Sequence, residues 1–329
     1  MINNHHQNFY NTNARQLACK HYEGSKVFWR GNAVGATMLI FLASVYIFAI
    51  FGGLIFHAAG SNTSGDTWLF QFLFMMIVMS LPFFVGPIFM REKAIDILPF
   101  NKVPIIFFVL LVIMQLGVGY SGSFVSVFFN FIFQSTTGIQ PSEPGFASIP
   151  TGIFGQTFYI IAISFAPALA EEFAFRGIIL GGMRKYGNMN AIVISSLLFA
   201  LMHGNMRQIP FTFVFGMAMG IATILSNSIW PAIVAHFLNN FFAGMLGIAG
   251  QHGYGTLVTG IYLIFMLLMI FAGFGLLIYY MIKYWHWFKY QGALCYNSWG
   301  KRFGLLIGNP CMIIALLFLF GQIVLNFFM

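Results

Sequence analysis

Two adjacent acidic residues, Glu171 and Glu172, lie within a long apolar stretch of the chain. An ionised carboxylate near the centre of a bilayer costs roughly 2.5–3.5 kcal/mol on insertion scales, so a pair there needs a reason. Arg176 follows Glu172 at the i,i+4 spacing that favours an ion pair on a helix, which accounts for Glu172 but not for Glu171. A carboxylate crowded by its neighbour is suited to act as a general base on water.

Two histidines lie in other apolar segments of the same third of the chain. His203 has Phe199 four residues earlier, and His236 has Asn240 four residues later, so each pair shares one helix face. A histidine can share the proton of an activated water, and a histidine with an asparagine can donate hydrogen bonds to an oxyanion. These residues indicate hydrolysis of an amide bond. Glu171, His203 and His236 are also candidate ligands of a divalent metal such as zinc, so metal-assisted hydrolysis stays open.

The composition shows what kind of protein must position these residues. Of 329 residues, 59% are hydrophobic and 7% are charged, against about 45–50% and about 25% in a soluble domain. This excludes a soluble globular enzyme, a disordered chain and a collagen-like fibre, and it predicts an all-α polytopic membrane protein. The net charge of +8 is interpreted as loop charge that orients the chain in the bilayer, not as a nucleic-acid surface.

Apolar runs predict about eight to nine transmembrane helices, since a span needs roughly 20 residues. Basic segments alternate with uncharged loops, which predicts a cytoplasmic N-terminus and a C-terminus outside. Residues 191–203 and 209–225 are short for spans, so their tight link, 204–208, predicts a hairpin that ends inside the membrane protein. The apolar runs are 33–56, 68–90, 103–133, 152–182, 191–203, 209–225, 230–248, 257–282 and 305–328.

The chain divides into four regions. They are a polar and basic cytoplasmic tail (1–30), N-terminal transmembrane helices (31–150), the core with the candidate residues (151–250), and C-terminal transmembrane helices (251–329) with an aromatic and basic interfacial segment at 284–304. At ~1.5 Å per residue, Glu171, His203 and His236 lie about 16, 18 and 10 Å from the cytoplasmic ends of their segments. Three helices can therefore present these groups to one cavity.

Three motifs occur in order within the core. Glu171–Arg176 reads EEFAFR (EExxxR), Phe199–His203 reads FALMH (FxxxH), and His236–Asn240 reads HFLNN (HxxxN). Together they resemble the CAAX protease and bacteriocin-processing (CPBP, or Abi) family of intramembrane proteases, over roughly residues 152–248.

The resemblance implies an all-helical fold with a conical intramembrane cavity. It implies that Glu171 activates water together with His203, and that His236 and Asn240 form an oxyanion site. Supporting roles fall to Glu172, Arg176 and Phe199. The family is described both as glutamate-dependent and as metalloprotease, and the motifs do not separate the two.

The function we expect is that of an intramembrane endopeptidase acting on a peptide or on a lipidated or otherwise membrane-anchored protein. Its partners would be membrane lipids and that substrate, with no nucleic acid. The resemblance implies cleavage after a prenylated Cys in eukaryotic members, and peptide maturation or bacteriocin self-immunity in bacterial ones. We expect the plasma membrane of a prokaryote.

Two alternatives stay open at this point. A non-proteolytic immunity or scaffold protein would keep the fold and only bind partners, and it predicts that Glu171→Ala leaves the phenotype intact. A proton-coupled transporter would use the intramembrane Glu and His residues as a proton relay. The grouping of the ionisable residues between Glu171 and His236 disfavours the transporter.

Overall fold

The computed structural model describes residues 2–58, 72–74, 76–140, 149–289 and 296–328. Throughout these ranges the secondary structure is helical, with no β-strand, which confirms the predicted all-α class. Within the described ranges, seven helical segments are long and apolar enough to cross a membrane, one of them Phe72–Met90, or eight if a bent C-terminal pair counts as one span. The helices are α1 (Ile2–Ala58), α2 (Leu81–Met90), α3 (Ala94–Ile97), α4 (Ile105–Thr137), α5 (Ile153–Tyr186), α6 (Asn188–Met202), α7 (Ile209–Ser226), α8 (Trp230–Gln251), α9 (Gly255–Lys283), α10 (Trp285–Lys289), α11 (Trp299–Ile307) and α12 (Pro310–Phe328).

The count of seven or eight spans is one lower than the predicted eight or nine, for two local reasons. The segment predicted at 191–203 is α6, whose 15 residues are too few to cross a bilayer. The segment predicted at 305–328 is broken, because α11 and α12 meet at 71°. Asn309 stabilises that break, since its Nδ2 donates to the Leu306 carbonyl over 2.7 Å and its Oδ1 accepts from the backbone of Met312 over 3.0 Å.

Helix α4 packs against both α8 and α9 within the described bundle. The long segment predicted at 103–133 is this one helix of 33 residues. Gln115 on α4 donates to the carbonyl of Pro231 on α8 over 3.2 Å. A Cβ atom on Gly117 would lie 2.0 Å from the carbonyl oxygen of Met269 on α9. The missing side chain therefore allows α4 and α9 to touch backbone to backbone.

Helix α1 joins the two ends of the chain. Residues 2–30, predicted as a tail, are helical and continuous with the first span. Glu23 on α1 is buried, and its Oε2 accepts from the backbone N–H of Asn297 over 2.7 Å and from the Asn297 side chain over 2.9 Å. A Cβ on Gly31 would lie 2.2 Å from the Leu306 carbonyl oxygen, so α1 packs directly on α11.

The segment predicted to lie at the membrane interface, 284–304, contains α10 and part of α11, while residues 290–295 lie outside the described residues. Trp285, Trp287 and Trp299 are exposed, as an interfacial position requires. Arg302 is buried instead of facing solvent. The position of the segment relative to a membrane stays a prediction.

Candidate active site

Helix α5 changes its hydrogen-bond pattern on both sides of the acidic pair. π-helical segments cover Ile161–Phe165 and Phe173–Leu180, and α-helical residues Ala166–Glu172 lie between them. In a π segment each N–H bonds to the carbonyl five residues earlier instead of four, and such segments concentrate at functional sites. The direction in which the two acidic side chains point is therefore set by widened turns that no periodicity in the sequence predicts.

Glu172 is the carboxylate that joins two helices. Its side chain is fully buried. Its Oε1 accepts from Nη1 of Arg176 over 3.0 Å and from Nδ1 of His236 on α8 over 2.9 Å. A buried charge is tolerated when it is paired and hydrogen-bonded, and both conditions hold for this oxygen.

Arg176 extends the same connection to two further helices. Its guanidinium is fully buried, and Nη2 donates to the carbonyl of Gly216 on α7 over 3.3 Å. Its Cζ lies 4.3 Å from the ring centroid of Phe199 on α6, a cation–π contact. A Cβ on Gly216 would approach Nη2 to 3.3 Å. Arg176 therefore contacts α6 and α7 while it neutralises Glu172.

Glu171 is buried beside this ion pair but is bound less completely. Its Oε2 lies 4.0 Å from Nε2 of His236, which is longer than a hydrogen bond. Among the described residues that oxygen has no hydrogen-bond partner. The imidazole of His236 thus lies between two carboxylates, with Nδ1 on Glu172 and Nε2 directed at Glu171.

His203 is held by its own helix. Its Nδ1 lies 2.8 Å from the carbonyl oxygen of Phe199. A carbonyl only accepts, so Nδ1 carries the proton and Nε2 is left as an acceptor in the neutral ring. The ring of Phe199 lies edge-on to His203 at 4.9 Å and to His236 at 5.9 Å between centroids. Phe199 therefore contacts both imidazoles.

Asn240 lies against the first π segment of α5. Its Nδ2 donates to the carbonyl of Ile163 over 3.0 Å, and its Oδ1 accepts from Nδ2 of Asn239 over 3.0 Å. One N–H of the Asn240 amide is therefore used in a hydrogen bond to the backbone of α5. The second N–H of the amide group remains for another acceptor.

Comparison with known proteins gives two matches, one to a family model and one to a bacterial protein. Residues 153–242 match the family model described as type II CAAX prenyl endopeptidase Rce1-like. The membrane-embedded CAAX protease MroQ of Staphylococcus aureus is 32% identical over 91 residues. That alignment covers 26% of this chain and 37% of MroQ, so the chain spans about a third of the length of this relative. No solved structure matches the chain.

Residues 153–242 are therefore similar to the CAAX proteases. The segment contains all seven residues singled out above: Glu171, Glu172, Arg176, Phe199, His203, His236 and Asn240. The helices on either side of it, α1 to α4 and α9 to α12, lie outside the family match.

The positions of the donor side chains can be compared with the hypothesis of a bound metal ion. Within the described ranges no three His, Cys, Asp or Glu side chains are placed to hold a metal ion. Glu171, His203 and His236, the candidate ligands, do not form such a set here. Both imidazoles bind another group through Nδ1, His203 a backbone carbonyl and His236 Glu172, which leaves Nε2 of each ring as the nitrogen that could face a ligand or a water. Among the described residues these three side chains are therefore not assembled into a three-donor group.

Three contacts of the site could not be predicted from the sequence. The carbonyls of Gly216 and Ile163 are acceptors for Arg176 and Asn240, and backbone carbonyls leave no trace in a motif. The ring of Phe215 lies 6.2 Å from His236, in a helix where aromatic residues are common. Gly216 and Gly220 are a small-xxx-small pair, which by itself indicates only close helix packing.

Proposed function

We propose that the chain is an intramembrane endopeptidase in which Glu171 activates water to hydrolyse a peptide bond. One observation carries the proposal: Oε2 of the buried Glu171 has no hydrogen-bond partner among the described residues and lies 4.0 Å from Nε2 of an imidazole that Glu172 holds in place. Oε2 of Glu172 also has no partner there, but its Oε1 is used by Arg176 and His236. Glu171 and His236 both lie within the segment that matches the CAAX proteases. A structural ion pair needs Glu172 and Arg176, and it leaves Glu171 without a role.

The separation of Glu171 and His236 suits a water molecule. Oε2 of Glu171 and Nε2 of His236 are 4.0 Å apart, and a water about 2.8 Å from each atom fits as the apex of a bent bridge. Glu171 takes a proton from this water as the oxygen attacks the substrate carbonyl carbon. The C–N bond breaks when Glu171 returns that proton to the leaving amine.

The other polar groups support this step. Glu172 and Arg176 keep Nε2 of His236 directed at Glu171, as an orienting group does for a catalytic base. His203 offers its Nε2 as an alternative to Nε2 of His236 for the proton of the water that Glu171 does not take. Asn240 has one amide N–H left to donate to the oxyanion of the tetrahedral intermediate, a contribution typically worth about 10²–10³ in rate.

We propose a membrane-associated substrate, either a peptide or a membrane-anchored protein. The support is the depth of the site in apolar helices and the names of the similar proteins, a prenyl endopeptidase family and a CAAX protease. A prenylated cysteine next to the cleaved bond is the specific form to test. We place the N-terminus in the cytoplasm of a prokaryote, at the plasma membrane, because basic segments alternate with uncharged loops and because the similar MroQ is bacterial.

The test is a cleavage assay with the full chain in lipid nanodiscs. The probes are a farnesylated CAAX peptide and a peptide of the same sequence with an acyl anchor instead of the prenyl group, with products identified by mass spectrometry. We expect Glu171→Gln to lower kcat by about 10²–10⁴, and His203→Ala to lower it as well. The matched control is Glu92→Gln, a carboxylate outside the buried cluster.

Wild-type rates in both Glu171→Gln and His203→Ala would overturn the proposal. Tight binding of either peptide without cleavage would point instead to the scaffold alternative. Equal cleavage of the two peptides would show that the enzyme does not require a prenyl group, and it would leave the proposed peptidase activity standing.

A further inference from the structure

The turn that follows His203 is bound by the C-terminal helix. Nδ2 of Asn326 on α12 donates to the carbonyl of Gly204 over 3.0 Å. Asn326 lies outside residues 153–242, the part of the chain that matches the family. This contact therefore reaches the site from a helix to which neither comparison assigns a role.

The end of α6 explains why the turn needs such a partner. The backbone N–H of His203 and that of Gly204 close the last turn on the carbonyls of Ala200 and Leu201, and Gly204 then adopts a left-handed conformation at φ +63°. Carbonyls at a helix end have no partner within the helix. Inside a membrane protein such a group must be satisfied by protein or by a water-filled cavity. Asn326 satisfies the Gly204 carbonyl.

The approach of α12 to this turn is close. A Cβ on Gly204 would lie 3.2 Å from Nδ2 of Asn326 and 3.2 Å from Nε2 of Gln322, one helical turn earlier on α12. A side chain at position 204 would therefore meet both amides, and its positive φ would add backbone strain. This turn thus combines a left-handed glycine with two side-chain amides close to its Cα.

The ring of His203 depends on the same backbone. Its Nδ1 is bound to the Phe199 carbonyl, so the ring is fixed relative to α6. The imidazole can then still move with the backbone that joins His203 to Gly204. A displacement of about 1 Å of a catalytic group can cost about 10²-fold in rate. A hydrogen bond that holds the next residue is therefore placed to affect the position of Nε2 of His203.

We propose that Asn326 is a positioning residue for His203, and that α12 is part of the functional site although it lies outside the family match. The inference rests on the proposed function, because it assumes that His203 acts on the water held by Glu171. Asn326 itself touches neither the water nor the substrate in this scheme. It acts through the Gly204 carbonyl.

The test compares Asn326→Leu, which has a similar size but no donor, with Asn326→Gln, which keeps the amide. Leu325→Ala is the matched control, since Leu325 is exposed on the same helix. Hydrogen exchange of residues 203–208 is measured by mass spectrometry on the full chain in nanodiscs, together with kcat and KM for the peptide that the wild type cleaves. For Asn326→Leu we expect exchange to rise about tenfold and kcat to fall about tenfold or more, with KM within about twofold.

The outcomes separate this inference from the proposed function. Exchange needs no substrate, so unchanged exchange in Asn326→Leu overturns the inference whether or not the chain is a peptidase. Faster exchange with wild-type kcat also overturns it, because the turn would then be held without consequence for catalysis. Loss in Asn326→Leu with recovery in Asn326→Gln supports it. Full activity in Glu171→Gln would overturn the proposed function and leave the exchange result standing.

Discussion

Nδ1 of His236 donates to Oε1 of Glu172 over 2.9 Å, and this bond joins helix α8 to helix α5 inside the bundle. The same oxygen accepts from Arg176, so Oε1 of Glu172 has two donors, while its Oε2 has no partner among the described residues. Its neighbour Glu171 shares its burial but not its bonds. Two adjacent residues of one type thus have different environments, which is the basis for assigning them different tasks.

The first prediction separates those tasks by substitution. Glu172→Gln leaves buried Arg176 without its charge partner, and breaking a buried pair in this way costs about 3–5 kcal/mol of stability. Glu171→Gln removes a carboxylate that binds no cation directly, so we expect a melting temperature close to wild type and loss of cleavage. Thermal unfolding of both variants in nanodiscs, alongside the peptide assay, measures this. Equal loss of stability in the two variants would contradict it.

The second prediction concerns metal removal. Because the described donors do not form a group of three, we expect 1,10-phenanthroline or EDTA to leave kcat and KM of the wild type unchanged. The control is the same treatment of a zinc endopeptidase with the same type of peptide. Loss of activity that added zinc restores would show that substrate or conformational change assembles Glu171, His203 and His236 around a metal.

The third prediction tests the close backbone contact between α4 and α9. Gly117→Ala would place a Cβ 2.0 Å from the Met269 carbonyl and 2.8 Å from the Cα of Gly273, and overpacking of this kind costs about 1–3 kcal/mol. Gly260→Ala on α9 is the matched control, because a Cβ there meets nothing within 4 Å. Thermal unfolding should show a loss for Gly117→Ala alone. A similar melting temperature for both variants would mean that the helices can separate without cost.

The fourth prediction concerns the pH dependence of Glu92, which lies just after α2 and outside the candidate membrane spans. Glu92 pairs with Arg30 over 2.5 Å and with Lys185. Burial by itself would raise the pKa of Glu92, but hydrogen bonds from Lys185 and Arg30 outweigh it and hold the pKa below its ordinary value of 4.5. A lowered carboxyl pKa contributes stability that is present above the unfolded value and is lost as pH falls through the folded value.

The measurement is the difference in melting temperature between wild type and Glu92→Gln as a function of pH. We expect wild type to be more stable by a constant margin between about pH 6 and 8, with the margin shrinking below about pH 4.5 as Glu92 takes up a proton. High salt should reduce the margin at neutral pH, because the cluster is partly exposed. A margin that does not depend on pH would mean that the ion pairs contribute nothing.

Much of this protein follows from the sequence alone. The scarcity of charge determines that the chain is a membrane protein, because apolar helices are what a bilayer accepts. It also makes Glu171, Glu172, Arg176, His203 and His236 stand out, since an ionisable group in such a segment must have a partner or a function. The i,i+4 spacing of Glu172 and Arg176 is a local property of a helix, and the ion pair is present.

Only the tertiary structure decided how these residues are used. The choice of Glu172 as the partner of His236 depends on the approach of α8 to α5, and that approach depends on two π segments that no residue pattern marks. Asn240 binds the Ile163 carbonyl, and Asn326 binds the Gly204 carbonyl. Both acceptors are backbone atoms, present at every position of the chain. The sequence names the donors, but packing alone determines which carbonyl each donor meets.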